Sequence, residues 1–137
     1  MKFSYKKPKI SEVEAPILPI QIFDDTRTHS YPNQATTDAL IDTGYDGFIM
    51  IPIKIFDALN LISSELPQDQ VSMAETIVGE HLELRTALGY VEIPKLKISL
   101  SLEIDTYSNC AEILLGRQFL EYLVITLDGQ QKELIIE

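Results

Sequence analysis

The chain has 137 residues, 45% of them hydrophobic and 23% charged, which suits one domain with a real core and argues against disorder of the whole chain. Its formal net charge of −10 argues against nucleic acid as a partner, because such binding needs clustered Lys and Arg, and the only basic cluster is Lys6, Lys7 and Lys9. A single cysteine, Cys110, rules out an intrachain disulfide; His29 and His81 are too few for a His-rich metal site; no apolar run is long enough to span a bilayer. A cytoplasmic, soluble protein with no membrane span is therefore expected.

Residues 1–16 are polar and carry Pro8 and Pro16, so they read as an N-terminal arm or a poorly paired edge strand; 17–137 form the domain. Ile17 to Phe23 is β-branched and apolar, but Pro19 cannot donate to a ladder and argues for an edge position. A polar loop over 24–36 leads into a strand from Thr37 to Ile41, and a second strand follows from Phe48 to Ile51. Pro52 suits a helix start, and Ile55, Phe56, Leu59 and Ile62 then fall on one helical face. After a loop over 63–70 come two β arms, Val71 to Ile77 and Leu82 to Tyr90, with Gly79 between them. These predict a hairpin with its tip near Ile77 to Glu80, and in its second arm Leu82, Leu84, Leu88 and Tyr90 share one face.

Leu96, Ile98, Leu100, Leu102 and Ile104 alternate with polar residues, the pattern of a strand with one face on the core, and Asp105 to Asn109 reads as the turn that ends it. Glu112 to Leu115 is a short buried strand ending at Gly116, and Arg117 to Tyr122 a short helix. Leu123 to Leu127 and Lys132 to Ile136 flank Asp128-Gly129, a strong hairpin signal. About nine strands with regular turns predict an all-β, closed or sandwiched domain with one or two short helices.

Within this pattern one residue is out of place. Ala39-Leu40-Ile41 delivers the carboxylate of Asp42 into a Thr43-Gly44 turn, and a second apolar strand follows at once. Burying an ionised carboxylate costs several kcal/mol unless it is paired or protonated. Asp42 is either an exposed turn residue or a group held at a semi-buried site for chemistry.

Ala39-Leu40-Ile41-Asp42-Thr43-Gly44 resembles the active-site strand and turn of the retropepsin-like aspartic peptidases, and Glu112-Ile113-Leu114-Leu115-Gly116-Arg117 resembles the second signature of that family. Val71-Ser72-Met73-Ala74-Glu75 with Gly79 sits where the family places its flap. The resemblance implies a closed acid-protease barrel with a flap hairpin, and a homodimeric aspartic endopeptidase that needs no cofactor. Asp42 would be the catalytic carboxylate, one from each subunit at a C2 axis. Thr43 would grip the partner's turn, and Gly44 would let substrate backbone approach. Leu114 and Leu115 would pack beside the turn, with Gly116 passing beneath it. Asp46 and Arg117 resemble an ion pair that braces this region in the retroviral members; alternatively Asp46 is simply exposed.

Tyr45, Asp46, Ala74, Glu75, Thr76, Gly79 and Leu114 are the residues expected to meet an extended peptide or protein substrate, with Leu115, Gly116 and Arg117 in support. Two features depart from the retroviral pattern. Tyr45 replaces a small residue, and either shapes a substrate pocket or packs into the core or dimer interface. The flap tip reads Ala74-Glu75-Thr76, with Gly79 displaced. These departures keep open a rival reading, a dimeric peptide-binding module that captures an extended strand by β-augmentation with little or no hydrolysis. A phosphorylated Asp42 is disfavoured, because Gly44 stands where that chemistry needs a second Asp. Asp105 to Asn109 lacks the ligands of a calcium loop. The apolar Leu134-Ile135-Ile136 is a candidate contribution to the dimer.

Overall fold

Alternating apolar residues become strands along most of the chain, in a computed structural model that describes residues 1–67, 73–75 and 81–137. In chain order the strands are β1 (Lys2–Ser4), β2 (Ile17–Asp24), β3 (Ser30–Tyr31), β4 (Thr37–Ile41), β5 (Ile49–Met50), β6 (Met73–Glu75), β7 (His81–Glu83), β8 (Arg85–Ile93), β9 (Ile98–Thr106), β10 (Leu114–Leu115), β11 (Ile125–Asp128) and β12 (Glu133–Ile136). Among the described residues two short α-helices, α1 (Ile53–Ala58) and α2 (Arg117–Leu120), interrupt them.

Six strands close on themselves in the order β2-β4-β10-β5-β9-β8, with β8 returning to pair with β2. β4 and β10 are parallel, as are β5 and β9; the other pairs are antiparallel. The barrel is filled by Leu18, Ile20 and Ile22 of β2, Ala39 of β4, Ile49 of β5, Val91 and Ile93 of β8, Ile104 of β9 and Leu115 of β10, all buried. Phe56 and Phe119, from the two helices, belong to the same core and are fully buried. The strand pattern predicts an all-β domain, closed or sandwiched; it is closed, as the family resemblance implies.

β2 is central rather than an edge strand. It pairs with β4 over Ile17–Ile20 and with β8 over Gln21–Asp24, so at Pro19 it is paired on one side only, with Asp38. A proline is tolerated there because the missing N–H interrupts no second ladder. Of residues 1–16, β1 pairs with β12 and buries Phe3, and a further bridge joins Lys6 to Ala15. β12 lies between β1 and β11 in a separate three-stranded sheet.

Helix α1 begins after Pro52 and buries Ile55 and Phe56, but it ends at Ala58. Asn60 takes a left-handed conformation (φ 53°) and turns the chain into a 3-10 turn over Leu61–Ser64. That change of period buries Leu61 and turns Ile62 out to solvent, against the helical spacing.

In β8 the face is also reversed. Ala87, Gly89, Val91 and Ile93 point into the barrel, while Leu88 is exposed and Tyr90 only half-buried. The even-numbered side chains Leu84 and Thr86 are buried as well, so both faces of the strand are covered at its start and simple alternation fails. Gly89 is dictated by close approach, since a Cβ there would lie 2.4 Å from the Phe23 carbonyl oxygen on the neighbouring strand. β9 alternates as expected, with Ser99, Ser101 and Glu103 outward and Leu102 and Ile104 inward. It then runs on through Asp105 and Thr106, both buried, where a turn was expected.

β6 and β7 pair antiparallel with Glu75 opposite His81. The predicted tip, including Thr76 and Gly79, lies outside the described residues. The C-terminal hairpin forms around Asp128, whose Oδ1 accepts the amides of Gln130 and Gln131 at 3.1 and 2.9 Å. Among the described residues, no helix is long and apolar enough to cross a membrane.

Candidate active site

Asp42 follows directly on β4, where the parallel partner β10 ends. Leu40 is opposite Leu114 and Ile41 opposite Leu115. The ladder carries on into the turn, because the Asp42 amide donates to the Leu115 carbonyl at 2.9 Å. The turn then folds back on the carboxylate. The Gly44 amide donates to Asp42 Oδ1 at 2.9 Å, and the Tyr45 amide donates to the Asp42 carbonyl at 3.2 Å. Asp42 is half-buried, while Thr43 and Gly44 are exposed. A backbone donor on a carboxylate fixes its orientation without a neighbouring cation.

The segment after β10 holds the turn from below. The amides of Gly116, Arg117 and Gln118 donate in succession to the carbonyls of Phe48, Tyr45 and Gly47, at 2.9, 2.8 and 3.1 Å. Gly116 has no room for a side chain: a Cβ would lie 2.3 Å from the Gly47 oxygen and 2.6 Å from Tyr45 Cδ2. The glycine is therefore required by contact, and the pairing of the two sequence signatures is a direct backbone lacing.

Tyr45 is buried, 8% exposed, and its ring lies against Gly47 and Gly116. Its hydroxyl reaches the Ile49 carbonyl at 3.2 Å and hydrogen-bonds the carboxyl of Asp105 on β9. The other oxygen of Asp105 accepts the Thr86 hydroxyl of β8 at 2.6 Å. Burial pushes the Asp105 carboxyl above its ordinary value, although the Thr86 and Tyr45 hydrogen bonds pull the other way. Burial and the adjacent Asp105 also push the Tyr45 phenol far upward. Tyr45 thus packs inside the subunit, together with Met50 and Leu84, in a small cluster that Tyr107, Cys110 and Leu114 flank. Burial pushes the Cys110 thiol up to about 11, so it is no thiolate nucleophile at neutral pH.

The other candidate residues are placed as follows. Leu114 is half-buried beside Tyr45, and Leu115 is fully buried. Asp46 and Arg117 are both exposed, and among the described residues no ion pair joins them. The Asp46 carbonyl instead accepts the Gln118 side-chain amide at 2.8 Å, so a neutral bond closes this corner. Ala74 and Glu75 lie in β6. The sequence marks no role for Thr86, which sits in an arm whose buried face is the other one, and it places Asp105 only at the start of a turn, where β9 in fact continues. The bulky Tyr45 was the one hint that something polar must meet its hydroxyl.

No protein-family model matches the chain. A protein of Archaeoglobus fulgidus, described only as uncharacterized, is 32% identical over 114 residues, which cover 82% of this chain and 86% of the relative. The chain belongs to the family of that archaeal protein. The fold of the chain is that of the retropepsins. The chain matches EIAV protease complexed with the inhibitor HBY-793 at a TM-score of 0.56 and 15% identity, covering 82% of this chain and 90% of that one. It also matches a retropepsin-like aspartic protease from Rickettsia conorii at 0.56 and 12% identity, over 99% and 90% of the two chains. At such identities the chain shares the architecture with these enzymes and nothing finer.

Proposed function

We propose that the protein is a homodimeric aspartic endopeptidase in which two Asp42 carboxylates, one per subunit, activate a water molecule for peptide hydrolysis. The observation that carries this reading is the seating of Asp42. A half-buried carboxylate oriented by the Gly44 amide, in a turn laced to β10 and Gly116, stands within a retropepsin-type barrel.

One chain supplies one Asp-Thr-Gly, and the reaction uses two carboxylates face to face, so the reading requires a second copy. Two carboxylates that close share one proton. The ionised member takes a proton from the water, which attacks the peptide carbonyl. The protonated member stabilises the developing oxyanion and later supplies a proton to the leaving amine. Thr43, exposed beside Asp42, is assigned to contact with the partner's turn. Leu114 and the β6–β7 region, with Ala74, Glu75, Thr76 and Gly79, are assigned to the peptide.

The test is incubation with a mixed peptide library from acidic to neutral pH, with Asp42→Asn as the control. Cleavage that Asp42→Asn abolishes is the expected result, with a loss of about a thousandfold or more. Stable peptide binding with no cleavage at any pH overturns the reading and leaves the binding module in its place.

A further inference from the structure

We propose that Asp105 is a positioning residue for the Asp42 turn, acting through the hydroxyl of Tyr45. The inference rests on the reading of Asp42 given above, but its geometry is independent of any reaction. Tyr45 is the residue whose side chain carries the turn into the barrel. Its amide holds the Asp42 carbonyl, and its carbonyl receives the Arg117 amide. Its ring fills the space over Gly47 and Gly116. Its hydroxyl reaches β5 at Ile49 and β9 at Asp105. Asp105 in turn takes Thr86 of β8, and its own carbonyl receives the Ile51 amide at 2.9 Å. The Asp105 carboxyl therefore ties the turn to two strands of the barrel, β9 and β8, and the Tyr45 hydroxyl adds β5.

The surroundings of Asp105 disfavour its charge. The carboxyl is buried, 9% exposed, and its two oxygens accept only neutral donors, the hydroxyls of Tyr45 and Thr86. Among the described residues no salt bridge involves Asp105, and the charged group that acts on it is another acid, Asp46 of the turn; Cys110 acts in the same sense on Tyr45. Burial, with the like charge of Asp46, outweighs the two hydroxyl donors and holds the Asp105 carboxyl above its ordinary value.

The sign of the linkage follows. A carboxyl whose folded value is raised contributes stability that is complete below its ordinary value and is lost as pH rises through the folded value. Opening the turn lets Asp105 ionise in water, so opening becomes easier with rising pH. Asp105 thereby loosens the seat of Asp42 on the alkaline side.

Amide hydrogen exchange of the full-length chain, with β11–β12 amides as internal reference, tests this without reference to catalysis. In the wild type, protection of the Asp42, Gly44 and Tyr45 amides should fall relative to the reference as pH rises from acidic to alkaline. Tyr45→Phe keeps the ring but not the hydroxyl, and should lower that protection about tenfold at every pH, the worth of one buried hydrogen bond. Asp105→Asn supplies an N–H to Tyr45 and an oxygen to Thr86, so it should keep the protection and remove its pH dependence. Protection in Tyr45→Phe equal to wild type, or a pH dependence that persists in Asp105→Asn, overturns the proposal. If the protein proves to cleave peptides, Tyr45→Phe should lower kcat with KM within about twofold, since the hydroxyl touches no substrate. Absence of cleavage overturns the peptidase reading alone and leaves the exchange result to decide this one.

Discussion

Gly116 shows how a single residue can be required by contact alone. Its neighbours are two backbone carbonyls and a buried ring, none of which is the flexible end of a side chain. Gly116→Ala would force the methyl against Gly47 and Tyr45 and pull α2 away from the turn. Overpacking of this kind costs roughly 1–3 kcal/mol, and here the displaced atoms are backbone, so the upper end is expected. Urea unfolding should report that loss as a lower midpoint at unchanged slope. The sequence signature of apolar residues followed by Gly was legible as a motif; the reason for the glycine was not, because it lies in the ring of Tyr45, far away in the chain. The same distance hid Asp105 and Thr86, whose roles exist only where β8, β9 and the turn meet.

At the scale of elements, the β2–β3 connection is held by one buried carboxylate. Asp24 is 3% exposed and accepts the His29 amide at 2.9 Å, the His29 ring at 3.1 Å and the Thr26 hydroxyl at 2.9 Å. Burial opposes its ionisation, but these hydrogen bonds prevail and hold the carboxyl below its ordinary value. A depressed carboxylate contributes stability that is present above its ordinary value and lost as pH falls through the folded value. Asp24→Asn should therefore cost about 1–2 kcal/mol at neutral pH, as for hydrogen bonds to a charged group, and close to nothing in strong acid. Thermal melts of both proteins across the acid range should converge as pH falls. Strands with strict alternation, above all β9, were readable from sequence because one face meets the barrel and the other meets water. β8 was not, because its start is covered on both sides. Helix α1 was read too long because a left-handed Asn60 leaves no mark in an apolar spacing.

At the scale of the molecule, the order of elements and the closed barrel were legible in the succession of acidic turn, strand, helix and apolar-Gly-Arg segment. The role of the C-terminal strand was less so. Leu134 and Ile136 of β12 are buried within their own subunit, and of the three apolar residues only Ile135 keeps part of its surface. Truncation after Lys132 would thus damage folding itself and is a poor probe of association. Mixing is cleaner. If the active species has two Asp42 residues, equal amounts of wild-type and Asp42→Asn chains that exchange partners freely should show about half the activity of the wild-type portion alone. An unchanged activity, with exchange shown by labelled chains, would count against a shared site. Sedimentation should give a species of twice 15.5 kDa.

The pairing of β4 with β10 joins parts of the chain that are made far apart in time. On the ribosome the acidic tripeptide emerges early, while Leu114, Leu115 and Gly116 have yet to be translated. Until they arrive the turn has neither its parallel neighbour nor its floor. A nascent or prematurely terminated chain therefore displays the tripeptide without the seat that orients it.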